Sequence, residues 1–248
     1  MSRYPGGRVP VLAPVTWGSD GYPTITTVNG GWSSSYPYPA ARRDVTPTTG
    51  TDRFTSSSLS HVWEWNHNPD TSKFTLGSGL KLSTATVTVD LYSARNTLTR
   101  RIHGGQGTGT LELDFTSMAD GDRAGLALLR DSSAWVGIKR DGSSYTVSFV
   151  NSITMNSDWT TANTGVTPNS VSISAKKVWL RIQADIRPGG TKNAQFYWST
   201  DGSSFTQIGG SFAMKTEWQF FMGYRYGIFN YATKALGGSV VVNSFTSA

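Results

Sequence analysis

The sequence predicts an all-β protein built as a two-sheet antiparallel sandwich, and three observations carry that reading. Short runs alternate apolar and polar residues, as in Leu111-Glu112-Leu113-Asp114-Phe115 and Val178 to Ile186, which is the pattern of half-buried strands. Asp141-Gly142 and Asp201-Gly202 stand between such runs, where they read as hairpin turns. Charged residues make up only 15% of the 248 while glycine occurs 27 times, a balance that suits short strands and many turns better than helices.

The elements follow in order. Residues 9–17 read as a strand whose prolines confine it to an edge or a bulge, Gly18-Ser19-Asp20-Gly21 as a turn, and residues 22–28 as a second strand. Tyr36-Pro37-Tyr38-Pro39 opens an extended linker that ends near Gly50. Two strands cannot bury a core alone, so this lead leans on the following domain or belongs to something larger. The boundary drawn here is a first segment of 1–50 and a sandwich of 51–248. Within the latter, strands are expected at 73–82, 86–92, 111–115, 124–130, 134–139, 144–150, 170–175, 178–186, 193–199, 204–208, 218–229 and 238–246. About a dozen strands with no helix point to the large jelly-roll type of sandwich.

Composition excludes several function classes. There is no cysteine, hence no disulfide, thiol nucleophile or cysteine zinc site. No run approaches the ~18 apolar residues of a membrane span, and the N-terminus lacks a charged-then-apolar leader pattern. The formal charge is +6, but its basic residues cluster only in pairs such as Arg42-Arg43 and Lys176-Lys177, whereas a nucleic-acid footprint concentrates them in a stripe. Neither nucleic acid nor membrane is expected as a partner.

Two stretches carry a family resemblance. Trp63-Glu64-Trp65-Asn66-His67-Asn68-Pro69-Asp70 resembles the W-x-W-N-H-N-P-D signature that opens the C-terminal sandwich of many glycoside hydrolase family 43 proteins, the β-xylosidases and α-L-arabinofuranosidases. Ala94-Arg95-Asn96-Thr97-Leu98, residues 120–126 and residues 227–233 sustain it, and residues 6–17 resemble the end of that family's five-bladed catalytic propeller. The resemblance implies a propeller remnant followed by a concanavalin A-like sandwich similar to carbohydrate-binding module family 91. It further implies an extracellular, xylan- or arabinoxylan-binding accessory domain, non-catalytic alone, whose parent is an O-glycosyl hydrolase. The alternative is a glycosidase fragment whose sandwich supports or completes a missing propeller. The family's catalytic carboxylates lie on blades this chain does not contain, so no catalytic residue is assigned.

Candidate ligand residues come from strand alternation. Glycoside cleavage needs paired carboxylates, and Glu112 and Asp114 share a strand face about 7 Å apart; a solvated face is the simpler reading. One face of 178–185 is wholly apolar, while the other carries Trp179, Arg181, Gln183 and Asp185. An aromatic plate beside donors and acceptors suits sugars, which lay C–H faces on rings and hydrogen-bond through hydroxyls. Glu112, Trp135, Trp179, Arg181, Gln183 and Tyr197 are therefore the expected carbohydrate-binding set, if one sheet face holds them all. Loop cover over Trp179 and docking of a propeller are the competing uses of that face. Trp63, Trp65, Asn66 and His67 are secondary candidates. No cofactor is required; Asp52 near the sandwich start is a candidate ligand for a structural calcium ion.

Overall fold

The computed structural model describes residues 5–8 and 12–248. Part of the expected 9–17 strand, residues 9–11, lies outside the described residues. Two compact units emerge, one of residues 8–47 and one of residues 48–248 joined by 5–7. In the first, strands β1 (Val15–Trp17) and β2 (Pro23–Ile25) pair antiparallel. Trp17 and Tyr22 remain more than 70% exposed, as expected of a hairpin that has no third strand among the described residues.

The larger unit is a two-sheet antiparallel sandwich of the concanavalin A type. Its first strands are β3 (Gly50–Asp52), β4 (Trp63–Trp65), β5 (Phe74–Thr75), β6 (Leu80–Ser83) and β7 (Leu98–Arg101). The long central strands follow: β8 (Gln106–Asp114), β9 (Asp122–Leu129), β10 (Ser132–Asp141), β11 (Ser144–Met155), β12 (Thr161–Ser172), β13 (Lys177–Asp185) and β14 (Asn193–Ser199). Short β15 (Thr206–Gln207) and β16 (Phe212–Ala213) precede β17 (Arg225–Ala232) and β18 (Ser239–Ser247). One sheet has seven strands in the order β12-β11-β10-β9-β17-β7-β4. The other has nine, ordered β15-β14-β13-β8-β18-β6-β5, with β16 added on β14 and β3 on β18.

Alternation explains the core between them. Leu111 and Leu113 of β8, Leu180 and Ile182 of β13, and Phe245 of β18 face Leu126, Val136 and Ile228 of the other sheet, all fully buried. The Asp141-Gly142 turn closes the β10–β11 hairpin, with Asp141 paired to Ser144 and Gly142 at φ +62°, a conformation glycine adopts at no steric cost.

The expected 73–82 strand is two short ones, β5 and β6, and 204–208 shortens to β15; three further strand expectations fail for identifiable reasons. Residues 86–92 are not a ladder strand: Asp90 caps a 3-10 turn at Leu91–Ser93 by accepting from Tyr92 N–H, and the consecutive Leu91 and Tyr92 are both buried, which alternation forbids. The start of 218–229 is likewise a 3-10 turn, Trp218–Phe220, and apart from a single bridge between Met222 and Gly7 the ladder begins at Arg225. Conversely, the strand expected at 170–175 spans Thr161–Ser172. It is an exposed edge strand carrying Pro168, where proline is tolerated and no apolar alternation is needed.

Candidate functional site

Strand register decides which predicted site residues meet. On β13, Trp179 lies opposite Glu112 of β8, Arg181 opposite Thr110 and Gln183 opposite Thr108. On the other side Arg181 faces Tyr197 and Gln183 faces Gln195. Glu112, Trp179, Arg181, Gln183 and Tyr197 thus share the outer face of the nine-stranded sheet. Trp135 does not join them. It lies on β10 in the opposite sheet, 2% exposed, packed edge-on against Phe229 at 5.3 Å in a second cluster with Leu91, Tyr92 and Tyr231. Lys139 sits 5.6 Å above its ring and donates to Thr167 Oγ1.

The shared face is partly self-satisfied. Glu112 accepts from Lys177 Nζ (3.0 Å), Asn243 Nδ2 (3.2 Å) and Ser244 Oγ (3.1 Å), and Asp114 accepts from Thr116 N–H. The Asp201-Gly202 turn rests on the half-buried Trp179: a Cβ at Gly202 would come within 2.9 Å of indole Cε2. Arg181 donates to Thr110 Oγ1 and stacks 3.5 Å above the ring of Phe205, an aromatic contributor that lies in the expected 204–208 strand but outside the expected ligand set. Gln183 is exposed, and Tyr197 donates its hydroxyl to Gln195 Oε1.

Asp201 builds that turn by accepting from Ser199 Oγ (2.7 Å) and from the N–H groups of Ser203 and Ser204 (2.8 Å each). The Ser199 hydroxyl foremost, then these amides, hold its carboxyl well below the usual carboxylate range. A depressed folded-state pKa contributes stability that is complete above the unfolded value of about 4 and is lost as pH falls through the folded value. Asp201→Asn is therefore expected to narrow the gap between urea midpoints measured at pH 7 and pH 3. An unchanged gap would remove Asp201 from the acid response.

The secondary candidates make contacts within the fold. Trp63 is buried and donates Nε1–H to Asp52 Oδ2 (2.9 Å), while Asp52 Oδ1 accepts from Phe54 N–H (2.8 Å). Asp52 therefore anchors a turn and an indole, and no group of three or more His, Asp or Glu positioned for a metal ion occurs among the described residues. Trp65 packs on Phe74, and Asn66 Oδ1 accepts from Arg225. His67 Nε2 lies 2.5 Å from the Tyr92 carbonyl oxygen. Asp70 and Asn96 exchange two hydrogen bonds, Asp70 N–H to Asn96 Oδ1 (2.9 Å) and Asn96 Nδ2 to the Asp70 carbonyl (3.0 Å), and Arg95 Nε donates to the Asn68 carbonyl. The two signature stretches are the halves of one clasp. No helix among the described residues is long and apolar enough to cross a membrane.

One open cavity of about 570 Å³ adjoins this face, lined by Gln183, Asn193 and Gln195 together with Asp185 and Arg187. The alternation that placed Gln183 and Gln195 outward extends to Asn193 and, on β8, to Thr108, so those two were within reach of the sequence reading.

These features define a two-sheet antiparallel sandwich in which one outer sheet face gathers aromatic, amide and charged side chains. The chain belongs to the family of β-xylosidase C-terminal concanavalin A-like domains of glycoside hydrolase family 43, whose profile matches residues 51–247. A β-xylosidase of Formosa agariphila is 26% identical over 270 aligned residues, covering 97% of this chain and 42% of the relative. Among solved structures, a GH43 glycoside hydrolase engineered to display both endo-xylanase and exo-arabinofuranosidase activity is 44% identical. It has a TM-score of 0.91, and the match covers 99% of this chain and 50% of that one. A bifunctional GH43-CE protein of Bacteroides eggerthii is 30% identical with a TM-score of 0.85, covering 100% and 31%. The chain spans half or less of the length of each of these relatives.

Proposed function

We propose that the chain acts as the accessory sandwich of a xylan-directed family 43 glycosidase, working outside the cell beside a catalytic propeller and non-catalytic by itself. The observation that carries this is the 44% identity, over 99% of the chain, to half of a hydrolase with endo-xylanase and exo-arabinofuranosidase activity. The carboxylates of the shared face support the non-catalytic part: Glu112 is held by three donors and serves as an acceptor that orders neighbours.

The finer reading is that Trp179, Arg181, Gln183 and Tyr197 contact an oligosaccharide. An open sheet face gives modest affinity, since few contacts are enclosed. Isothermal titration of the purified chain with xylo- and arabinoxylo-oligosaccharides is expected to give saturable heat. Trp179→Ala should weaken binding about tenfold or more, the equivalent of the roughly 1.5–3 kcal/mol that one well-covered apolar side chain contributes. Absence of heat with every sugar would remove sugar binding and leave the supporting role. The turn over Trp179 and the saturated Glu112 favour that second reading. Its test is whether the catalytic half of the 44%-identical hydrolase gains activity when this chain is added.

A further inference from the structure

The cavity beside the shared face has a chemistry of its own. Its volume of about 570 Å³ falls within the ~300–1,000 Å³ range of small-molecule sites. The strands β13 and β14 put the amides of Gln183, Asn193 and Gln195 along one side, and all three residues are exposed. Each amide offers donors and an acceptor together, which matches a ligand whose hydroxyls do both. The two charged side chains of the wall, Asp185 and Arg187, pair with each other. Arg187 Nε and Nη2 each lie 2.8 Å from the two oxygens of Asp185, which also accepts from Thr191 N–H at 3.0 Å.

That pairing fixes the wall as well as its charge. Asp185 organises the 187–191 loop, and a Cβ at Gly190 would come within 2.3 Å of its Oδ1, so the loop closes directly on the carboxylate. The Arg187 stem in turn lies against Gly105. Asp185 already balances the Arg187 charge through a bidentate pair, the strong form of such pairs, so an anionic ligand meets a carboxylate and an arginine with little net attraction left, whereas a neutral ligand meets no such penalty.

We propose that this cavity binds a neutral, hydroxyl-rich oligosaccharide segment, with Asn193 and Gln195 as contacts additional to the Trp179 face and Gln183 shared between the two. The proposal rests on the reading of the chain as a sugar-binding accessory domain and adds the place and the charge class.

The test is a titration of the whole chain, by calorimetry and by NMR of the side-chain amides, with xylohexaose and with a xylo-oligosaccharide bearing one glucuronic acid. Shifts in the Asn193 and Gln195 amides are expected with xylohexaose. The double variant Asn193→Ala/Gln195→Ala, both on exposed positions, should weaken cavity binding at least tenfold and lose the Gln183 amide shift, whereas in Trp179→Ala the Asn193 and Gln195 amide shifts should persist. Circular dichroism and the urea midpoint verify that each variant folds. Loss of the Asn193 and Gln195 shifts in Trp179→Ala, with binding retained in the double variant, would overturn the cavity site while leaving the sugar-binding reading intact. Tighter binding of the uronate-bearing sugar would overturn the charge class. No response to either sugar would overturn the cavity and the sugar-binding reading together, and the family assignment would stand.

Discussion

Arg130→Met is expected to cost about 3–5 kcal/mol of unfolding free energy, the range for breaking a buried charged network by removing one member. Arg130 follows β9 and is 2% exposed. Its guanidinium donates to the carbonyls of Lys215 (2.6 Å) and Glu217, lies 3.2 Å from Asp131, and sits 5.3 Å and 5.5 Å from the ring centres of Phe220 and Tyr224. It therefore holds the backbone of 215–217 to the end of the seven-stranded sheet. Methionine refills part of the volume but leaves two carbonyls unpaired, at roughly 1–3 kcal/mol each if they stay buried. The check is urea denaturation, with the midpoint falling and the slope retained. Arg101→Ala provides the contrast, since its pair with Glu64 is exposed on both sides (66% and 45%) and such pairs contribute at most about 1 kcal/mol. Equal effects in the two variants would contradict the network.

Trp63→Ala is expected to cost about 3–5 kcal/mol as well, as large-to-small changes in packed cores do. The indole lies 5.3 Å from Phe54 and 5.2 Å from Phe245, with the Arg100 guanidinium 5.3 Å away. Trp63→Phe keeps a ring but strips Asp52 of its Nε1 donor, so an intermediate cost of about 1–3 kcal/mol is expected. Whatever sugar affinity the native chain shows should persist in folded Trp63→Phe. Loss of affinity at full folding would return Trp63 to the ligand site.

These two residues show what the sequence made legible. The sandwich followed from alternation because the central strands each have one wet face, and Leu111, Leu113, Leu180 and Ile182 announce the other. Edge strand β12 hid because all but two of its residues are exposed, and the 86–92 segment misled because burial against an outer sheet face needs no period of two. Pairing on β13 was right for Trp179, Arg181 and Gln183, with Glu112 and Tyr197 brought in by neighbouring strands. Trp135 has the same alternating neighbours, but which sheet a strand joins depends on long-range pairing that local pattern does not encode. Phe205 stands just before the short β15 and Arg187 in the loop after β13, where position is set by hydrogen bonds rather than by period.

The clasp between 66–70 and 92–97 gives the sandwich a front and a back. It fastens the 90–94 segment over Trp135, Phe229 and Tyr231, so the centre of the seven-stranded sheet is roofed by the chain itself and becomes a third layer. The nine-stranded sheet carries its polar and aromatic side chains without such a roof at Gln183 and Gln195. Anything recognised by the exposed amides meets the domain from one direction. A family signature rich in tryptophan, histidine and asparagine, chemistry that invites a ligand, is spent on making the fold one-sided.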